Sequence, residues 1–146
     1  MSLWRLTLSG GVTWIKGEIE DAEGRTHPAR RVPPLFGLGS LRYDHQSRRF
    51  FTEVYVQWAA TQDDLHPSDE QDLRICEASP HSGVLREPCD GTPSWYTLNL
   101  RGGYRFCDAV HAGLALLNLT DRRYRTHGSG FDAAGFDARA TLTVKF

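Results

Sequence analysis

The sequence predicts an all-β fold, an antiparallel up-and-down meander of about six long strands. Three observations predict it. Apolar and polar residues alternate with a period of two along most of the chain, whereas helical periodicity is almost absent. Polar stretches with glycine and proline separate the alternating segments. Long and short links also follow each other in turn, as they do when a meander has tight turns at one end only.

The first two strands lie in the opening third of the chain. The first covers about a dozen residues, and its apolar face consists of Trp4, Leu6, Leu8, Gly10, Val12 and Trp14. The second runs from about Leu35 to Tyr43. It follows Pro33 and Pro34, which suit a strand start because a missing N–H does little harm there.

The other four strands show the same alternation. The third is predicted in FFTEVYVQWAA, residues 50–60, and the fourth in SWYTLNLRGGYRF, residues 94–106. The fifth runs from about Val110 to Leu117, and the sixth is ARATLTVKF, residues 138–146. Aromatic residues lie near the strand ends, at Trp4, Trp14, Tyr43, Trp58, Trp95, Phe106 and Phe146.

The links between strands differ greatly in length. DHQSRR joins the second strand to the third, and a few residues around Cys107 join the fourth to the fifth. The other links are long, and loops of that size are uncommon in compact domains unless they are functional. The longest, from Thr61 to about Pro93, contains SDEQDLRI, which forms either a short helix capped by Ser68 or an irregular loop.

The composition is that of one folded domain. The 146 residues are 40% hydrophobic and carry a formal net charge of -1, which excludes a disordered chain and a strongly basic nucleic-acid binder. No apolar run is long enough for a membrane helix. The opening residues MSLWRLTLSGG lack the cationic and then apolar pattern of a signal peptide.

The three cysteines allow two interpretations. Cys76 and Cys89 lie in one polar segment, and their pairing in a disulfide would indicate an oxidising compartment. The alternative is three unpaired thiols in a cytosolic protein. Since no C-x-x-C motif occurs, we do not expect a zinc site.

Two environments explain strands with one apolar and one polar face. In a soluble sandwich or barrel the apolar face lines a core, whereas in a transmembrane barrel it meets lipid and the polar face lines a wet lumen. Three features favour the membrane: strands of about the ~9–11 residues that cross a bilayer, aromatics near their ends, and long loops at one end only.

Several segments resemble the C-terminal part of TonB-dependent outer-membrane receptors, and they occur in the family's order. The segments are RRVPPLFGLGSLRY, GTPSW, WYTLNLRGGYRF, LALLNLTDRRYR, HGSGFDAAG and a last strand that ends in phenylalanine. The resemblance covers most of the chain. It implies that residues 1–146 are the C-terminal segment of such a receptor's β-barrel, in the bacterial outer membrane.

The resemblance also implies a function and partners. Such receptors take up a scarce nutrient, such as a ferric siderophore or cobalamin, with energy supplied through TonB. A plug domain fills a 22-stranded barrel and carries the segment that contacts TonB. The implied partners are therefore outer-membrane lipid, the rest of the barrel and plug, the TonB complex and the barrel-assembly machinery. We expect no cofactor, no enzyme activity and no nucleic-acid partner.

The chain departs from that family in its extent. It contains about six strands and neither a plug nor a TonB-contacting segment. Six strands cannot close a barrel of transport size, and an open sheet in lipid leaves unpaired edges. We therefore expect a fragment of a receptor. The alternatives are a small soluble β-barrel or sandwich that binds a ligand and a small barrel formed by self-association.

The resemblance assigns roles near the C-terminus. The segment from Asn118 to Gly135 matches the last extracellular loop, with the motif residues Asn118, Leu119, Asp121, Tyr124, Gly128, Gly130 and Gly135. Asn118 and Asp121 suit backbone hydrogen bonds at the strand end, and the glycines suit tight turns. The C-terminal signal for barrel assembly matches Leu142, Val144 and Phe146.

One basic cluster is a candidate ligand site, and no catalytic motif is present. Arg122, Arg123, Arg125 and His127 either face an anionic ligand such as a ferric siderophore or belong to a solvated loop near anionic lipid headgroups. The second interpretation is favoured. The sequence contains neither G-x-S-x-G nor H-E-x-x-H.

Overall fold

The protein is described here by a computed structural model covering residues 5–76, 89 and 91–146. Its strands are β1 (Arg5–Thr13), β2 (Glu18–Glu20), β3 (Thr26–Pro28), β4 (Phe36–Asp44), β5 (Phe50–Ala59), β6 (Trp95–Arg105), β7 (Val110–Leu117) and β8 (Asp137–Val144). Neither a helix nor a helical membrane span occurs within these residues.

The six long strands form one antiparallel sheet in the order β1-β4-β5-β6-β7-β8. The predicted fold class, an all-β meander of six long strands, is confirmed. The predicted bounds agree with the observed ones to within a few residues. Trp14 lies just beyond β1 and Phe146 beyond β8, while Trp4 lies outside the described residues.

A small hairpin interrupts the first long link, which the sequence pattern treated as a loop. β2 pairs with β3 in antiparallel register from Glu18 opposite Pro28 to Glu20 opposite Thr26. The Asp21 carboxylate organises the turn by accepting hydrogen bonds from the Arg25 and Glu23 amides at 2.8 and 3.0 Å. Three-residue strands are too short to show the alternation that predicted the others.

The segment SDEQDLRI forms successive turns, so the irregular loop was the correct alternative. Amides at Asp69, Asp72 and Ile75 each donate to the carbonyl three residues before. Ser68 does not cap a helix, and its own amide donates to Nδ1 of His66 at 3.0 Å.

All three long loops extend from the same end of the sheet. They are L1 (residues 14–35), L2 (60–94) and L3 (118–136), and residues 77–88 and 90 of L2 lie outside the described part. The opposite end has the short links 45–49 and 106–109. The predicted difference in link length between the two ends of the sheet is therefore confirmed.

The register places most of the large apolar residues of the six long strands on one surface, here called the apolar face. The opposite surface carries Phe36, Leu38, Phe51 and Leu117. Its centre is aliphatic, with Leu8 opposite Leu41, Leu41 opposite Val54 and Val54 opposite Leu100. Aromatic residues flank this centre. Trp58 and Tyr96 lie at the loop end, and Tyr43, Phe50 and Tyr104 at the turn end.

No charged residue of the six long strands lies on the apolar face. Arginine, aspartate and glutamate all point to the other surface, here called the polar face. They are Arg5, Arg42, Asp44, Glu53, Arg101, Arg105, Asp137 and Arg139.

Burial in this sheet is inverted relative to a soluble domain. On the polar face Thr97 and Asn99 are 1% and 2% exposed, and Ser40 and Glu53 are also buried. On the apolar face Leu8 is 83% exposed and Leu114 is 52% exposed. The sheet therefore packs polar groups inward and leaves its large apolar side chains uncovered.

Candidate functional site: the polar face and its loops

An ion-pair network crosses the middle of the polar face. Arg42, Glu53 and Arg101 are directly opposite one another on β4, β5 and β6. The Glu53 carboxylate accepts a hydrogen bond from Nε of Arg101 at 2.8 Å and lies 4.0 Å from Arg42. Opposite charges on neighbouring strands stabilise the pairing, so this row supports the strand register.

Arginine also stacks on aromatic rings of the polar face. The Arg42 guanidinium lies 3.9 Å from the centroid of the Phe51 ring, and that of Arg101 lies 5.3 Å from the Tyr55 ring. Arg42 is also bound to the Asp44 carboxylate through Nε and a terminal nitrogen at 2.9 and 2.8 Å. The polar face thus carries arginines that are held by both aromatic rings and carboxylates.

Asn118 joins the end of β7 to the neighbouring strand β6. Its backbone N–H donates to the side-chain oxygen of the buried Asn99 at 2.9 Å. Its own amide side chain accepts from the Arg122 N–H at 3.0 Å and donates to the Arg122 carbonyl at 2.9 Å. Asn118 has a positive φ of 49°, which asparagine tolerates better than most residues.

The other motif residues of L3 fold the loop over the end of β6. The Asp121 carboxylate accepts from the Phe136 N–H at 2.8 Å, close to Gly135, where a side chain would collide with it. The Tyr124 ring packs on Trp95 with centroids 4.3 Å apart. Leu119 is 38% exposed at the beginning of the loop.

L1 and L2 are joined by a carboxylate clamp. Asp69, 1% exposed, accepts from Nε of Arg30 at 3.1 Å and from the Arg31 backbone N–H at 2.6 Å. Hydrogen bonds from the Arg74 guanidinium and backbone N–H hold the pKa of Asp72 well below its usual range. The Asp72 carboxylate therefore stays ionised at neutral pH, and it forms a second link between the loops by pairing with Arg31 of L1 at 3.4 Å.

L3 is attached to L2 at two points. Oγ1 of Thr92 and Nδ1 of His127 are hydrogen-bonded at 2.8 Å, and the Gly130 N–H donates to the Arg74 carbonyl at 3.3 Å. Nε2 of His127 is buried without a hydrogen-bond partner among the described residues. Burial lowers the pKa of His127, which therefore favours the neutral imidazole. Gly128 and Gly130 have φ of 74° and 78°, which suit glycine.

The structure pairs Cys76 with Cys89 in a disulfide, with the two Cα atoms 5.5 Å apart. Cys76 is buried at 2% exposure beside Ile75, so one end of the crosslink is anchored in the loop cluster. Cys107 is a free, exposed thiol in a short link at the opposite end of the sheet. The residues enclosed by the disulfide, 77–88, all lie outside the described part.

The basic cluster of L3 does not converge on a single ligand. Arg123 and Arg125 both form ion pairs with Asp132, which lower the pKa of that carboxyl group. The guanidinium of Arg122 instead lies 5.1 Å from the centroid of the Tyr96 ring, and His127 is bonded to L2. The three arginines nevertheless line one cleft of about 240 Å³ with Asp132.

Sequence reasoning missed a larger cleft between L1 and L2. Its volume is about 480 Å³, and its lining includes Trp14, Lys16, His27, Gln62 and Asp64. The lining residues are far apart in sequence, so no local motif indicated the cleft. No group of three or more His, Cys, Asp or Glu residues suited to a metal ion occurs in the described part of the chain.

The last residues of the chain continue the apolar face. Leu142 and Val144 are 68% and 45% exposed there, and Phe146 follows at the same alternation and is fully exposed. The Lys145 N–H still donates to the Ala109 carbonyl at 2.9 Å, which extends the pairing beyond β8.

An antiparallel sheet with an uncovered apolar face, a charged inner face and long loops at one end has the architecture of a membrane barrel wall. Neither a protein-family model nor a curated protein matches this sequence. Among solved structures, the copper transporter OprC matches 97% of this chain with a TM-score of 0.71. The identity is 16%, so the likeness shows the fold. This chain spans 21% of that protein.

Proposed function

We propose that this chain forms part of the wall and outer loops of a TonB-dependent transporter in the bacterial outer membrane. The observation that carries the proposal is the inverted sheet, whose apolar face has no charged residue and is bordered by aromatics at both ends. Trp58 and Phe50 are eight positions apart on β5, about 26 Å along the strand. In a barrel whose strands tilt by about 40°, that length covers roughly 20 Å of height, which is comparable to an apolar band about 25 Å tall.

The proposal assigns further strands to the two edges of the sheet. β1 and β8 are the outer strands, and among the described residues each has a neighbouring strand on one side only. Unpaired backbone groups in lipid cost several kcal/mol each, so other strands of the same barrel would pair with them. The proposed partners also include a plug domain and the TonB complex. The barrel-assembly machinery would recognise Leu142, Val144 and Phe146.

The proposed activity is uptake of a scarce, metal-bearing nutrient rather than catalysis. The sequence resemblance favours a ferric siderophore or cobalamin, and the structural neighbour is named for copper. On the polar face five arginines exceed three carboxylates, which favours passage or binding of anionic cargo. The clamped loops L1, L2 and L3 would form the outer mouth of the pathway.

The orientation of two tryptophans tests the membrane assignment. Trp58 lies on the apolar face, whereas Trp95 lies on the polar face against Tyr124. Two variants each keep a single tryptophan, which is Trp58 in one and Trp95 in the other. The remaining three of the four tryptophans are replaced by phenylalanine. The chain is refolded into phosphatidylcholine vesicles with brominated acyl chains, and the quenching of tryptophan fluorescence is measured.

We expect strong quenching of Trp58 and weak quenching of Trp95. Equal quenching of both would contradict the assigned faces. A water-soluble chain with neither tryptophan quenched would overturn the proposal in favour of a soluble binding module. Insertion that depends on chain concentration and yields a stable oligomer would support self-association instead.

A further inference from the structure

Arg122 has an arrangement that distinguishes it from the other arginines of L3. Its guanidinium lies over the ring of Tyr96 with 5.1 Å to the centroid, and the residue is exposed. Within the described residues no carboxylate lies at ion-pair distance from it, whereas Asp132 forms ion pairs with both Arg123 and Arg125. Arg122 is therefore an exposed positive charge that stacks on Tyr96 and has no carboxylate partner among the described residues.

Arg122 lies at the loop end of the apolar face, where its guanidinium contacts the ring of Tyr96. Tyr96 is directly opposite Trp58, and both lie at the loop end of that face. Tyr96 is 51% exposed, so the ring beneath the guanidinium faces outward rather than toward the polar face. Tyrosine and tryptophan in such positions mark the boundary between acyl chains and headgroups.

The surroundings of Arg122 are complementary to an anion. Arg122, Arg123 and Arg125 line the cleft of about 240 Å³ with a single carboxylate, Asp132. The cleft also includes the exposed Ser94 at the beginning of β6, two residues before Tyr96. Planar guanidinium groups bind phosphate oxygens through paired N–H donors, more specifically than lysine does.

We propose that Arg122, held over Tyr96, binds the phosphate of a lipid headgroup in the outer leaflet. This inference rests on the proposed function, because it requires the apolar face to contact acyl chains. The lipid would place its chains along Trp58 and Tyr96 and its phosphate beside the guanidinium of Arg122. Cargo of the transport pathway would instead approach from the polar face, where Trp95 and Tyr124 line the other side of the same cleft.

The test compares the binding of the 146-residue chain to two kinds of vesicle. One contains phosphatidylcholine alone, and the other contains phosphatidylcholine mixed with phosphatidylglycerol. The variant is Arg122→Gln, and the matched control is Arg123→Gln, a neighbouring exposed arginine that is already paired with Asp132. A parallel series contains soluble glycerol phosphate as a competitor.

We expect the wild type to prefer the phosphatidylglycerol vesicles and Arg122→Gln to weaken that preference about fivefold, as for one arginine at an anionic surface. Arg123→Gln should change it much less. Binding to phosphatidylcholine should be the same in all three proteins.

Three results would overturn the inference. They are equal preference in Arg122→Gln and wild type, an equal or larger loss in Arg123→Gln, and full competition by glycerol phosphate, which would make the ligand a free anion. The proposed function is tested separately, by the quenching of Trp58 and Trp95, and does not depend on a preference for phosphatidylglycerol. Insertion into phosphatidylcholine without any preference for phosphatidylglycerol overturns the headgroup site alone.

Discussion

Nε of Arg101 lies 2.8 Å from the carboxylate of Glu53 on the neighbouring strand, and the Glu53 side chain is only 9% exposed. A buried carboxylate without a partner is strongly destabilising, so the pair and the strand register depend on each other. The same carboxylate lies 4.0 Å from Arg42, so it compensates two arginines on the polar face.

Replacing Glu53 should destabilise the sheet, and the loss of stability should be larger when the new side chain cannot accept the hydrogen bond from Arg101. Glu53→Ala leaves Arg101 without its partner, whereas Arg42 keeps its ion pair with Asp44, and we expect a loss of about 1–3 kcal/mol in the free energy of unfolding. Arg101 is half exposed, so water offsets part of the loss. Glu53→Gln keeps an acceptor for Arg101 and should lose less. Urea unfolding of the lipid-inserted protein measures both, and equal losses would contradict the prediction.

A new charge should have opposite effects at two successive residues of β7. Leu114 lies on the apolar face, whereas Ala115 lies on the polar face directly between Arg101 and Arg139. We expect Leu114→Glu to destabilise the lipid-inserted protein by roughly 1–2 kcal/mol, less than arginine at that depth. Ala115→Glu should be neutral or stabilising, because it adds a carboxylate between two cations. Urea unfolding in vesicles compares the two variants, and equal losses would mean that the faces are wrongly assigned.

Removing the disulfide should loosen L2. With a sequence separation of 13 residues, the chain-entropy model gives the Cys76–Cys89 crosslink about 3 kcal/mol relative to the unfolded chain. We expect the double variant Cys76→Ser and Cys89→Ser to be cleaved much faster in L2 by a protease added outside. The control Cys107→Ser, at the other end of the sheet, should behave as the wild type does. Unchanged cleavage in the double variant would show that the clamp at Asp69 suffices.

Attachment of L3 to L2 should weaken as the pH falls. Burial lowers the pKa of His127 in the folded protein, so the neutral ring stabilises the contact with Thr92 above the pKa of an unfolded histidine, about 6.5. Protonation at lower pH favours the released loop, since the charged ring is desolvated there. The carboxylate of Asp69, which acts on His127 from L2, opposes but does not reverse this direction.

Hydrogen exchange measures this effect at the Gly130 amide, which donates to the Arg74 carbonyl. After correction for intrinsic exchange, protection should fall as the pH drops below the pKa of an unfolded histidine, about 6.5. His127→Gln should remove this pH dependence, and His45→Gln, in a short link far from L3, should keep it. A pH dependence that persists in His127→Gln would assign the effect to another group.

The alternation of residues was enough to predict the six long strands, their order and the uneven lengths of their links. It also separated the two faces, because side chains on a strand alternate whatever the partner strand is. The hairpin of β2 and β3 was not predictable this way, since its strands are too short and depend on the hydrogen bonds of Asp21.

The contacts that join the loops were decided by the tertiary structure. Arg30 meets Asp69 across 39 residues and Thr92 meets His127 across 35, and no local pattern relates such positions. The basic cluster shows the same limit. The sequence placed Arg122, Arg123 and Arg125 together, but folding directs Arg122 to Tyr96 and the other two to Asp132. Periodicity is a local property of the chain, whereas ion pairs between loops require the register of strands far apart in sequence.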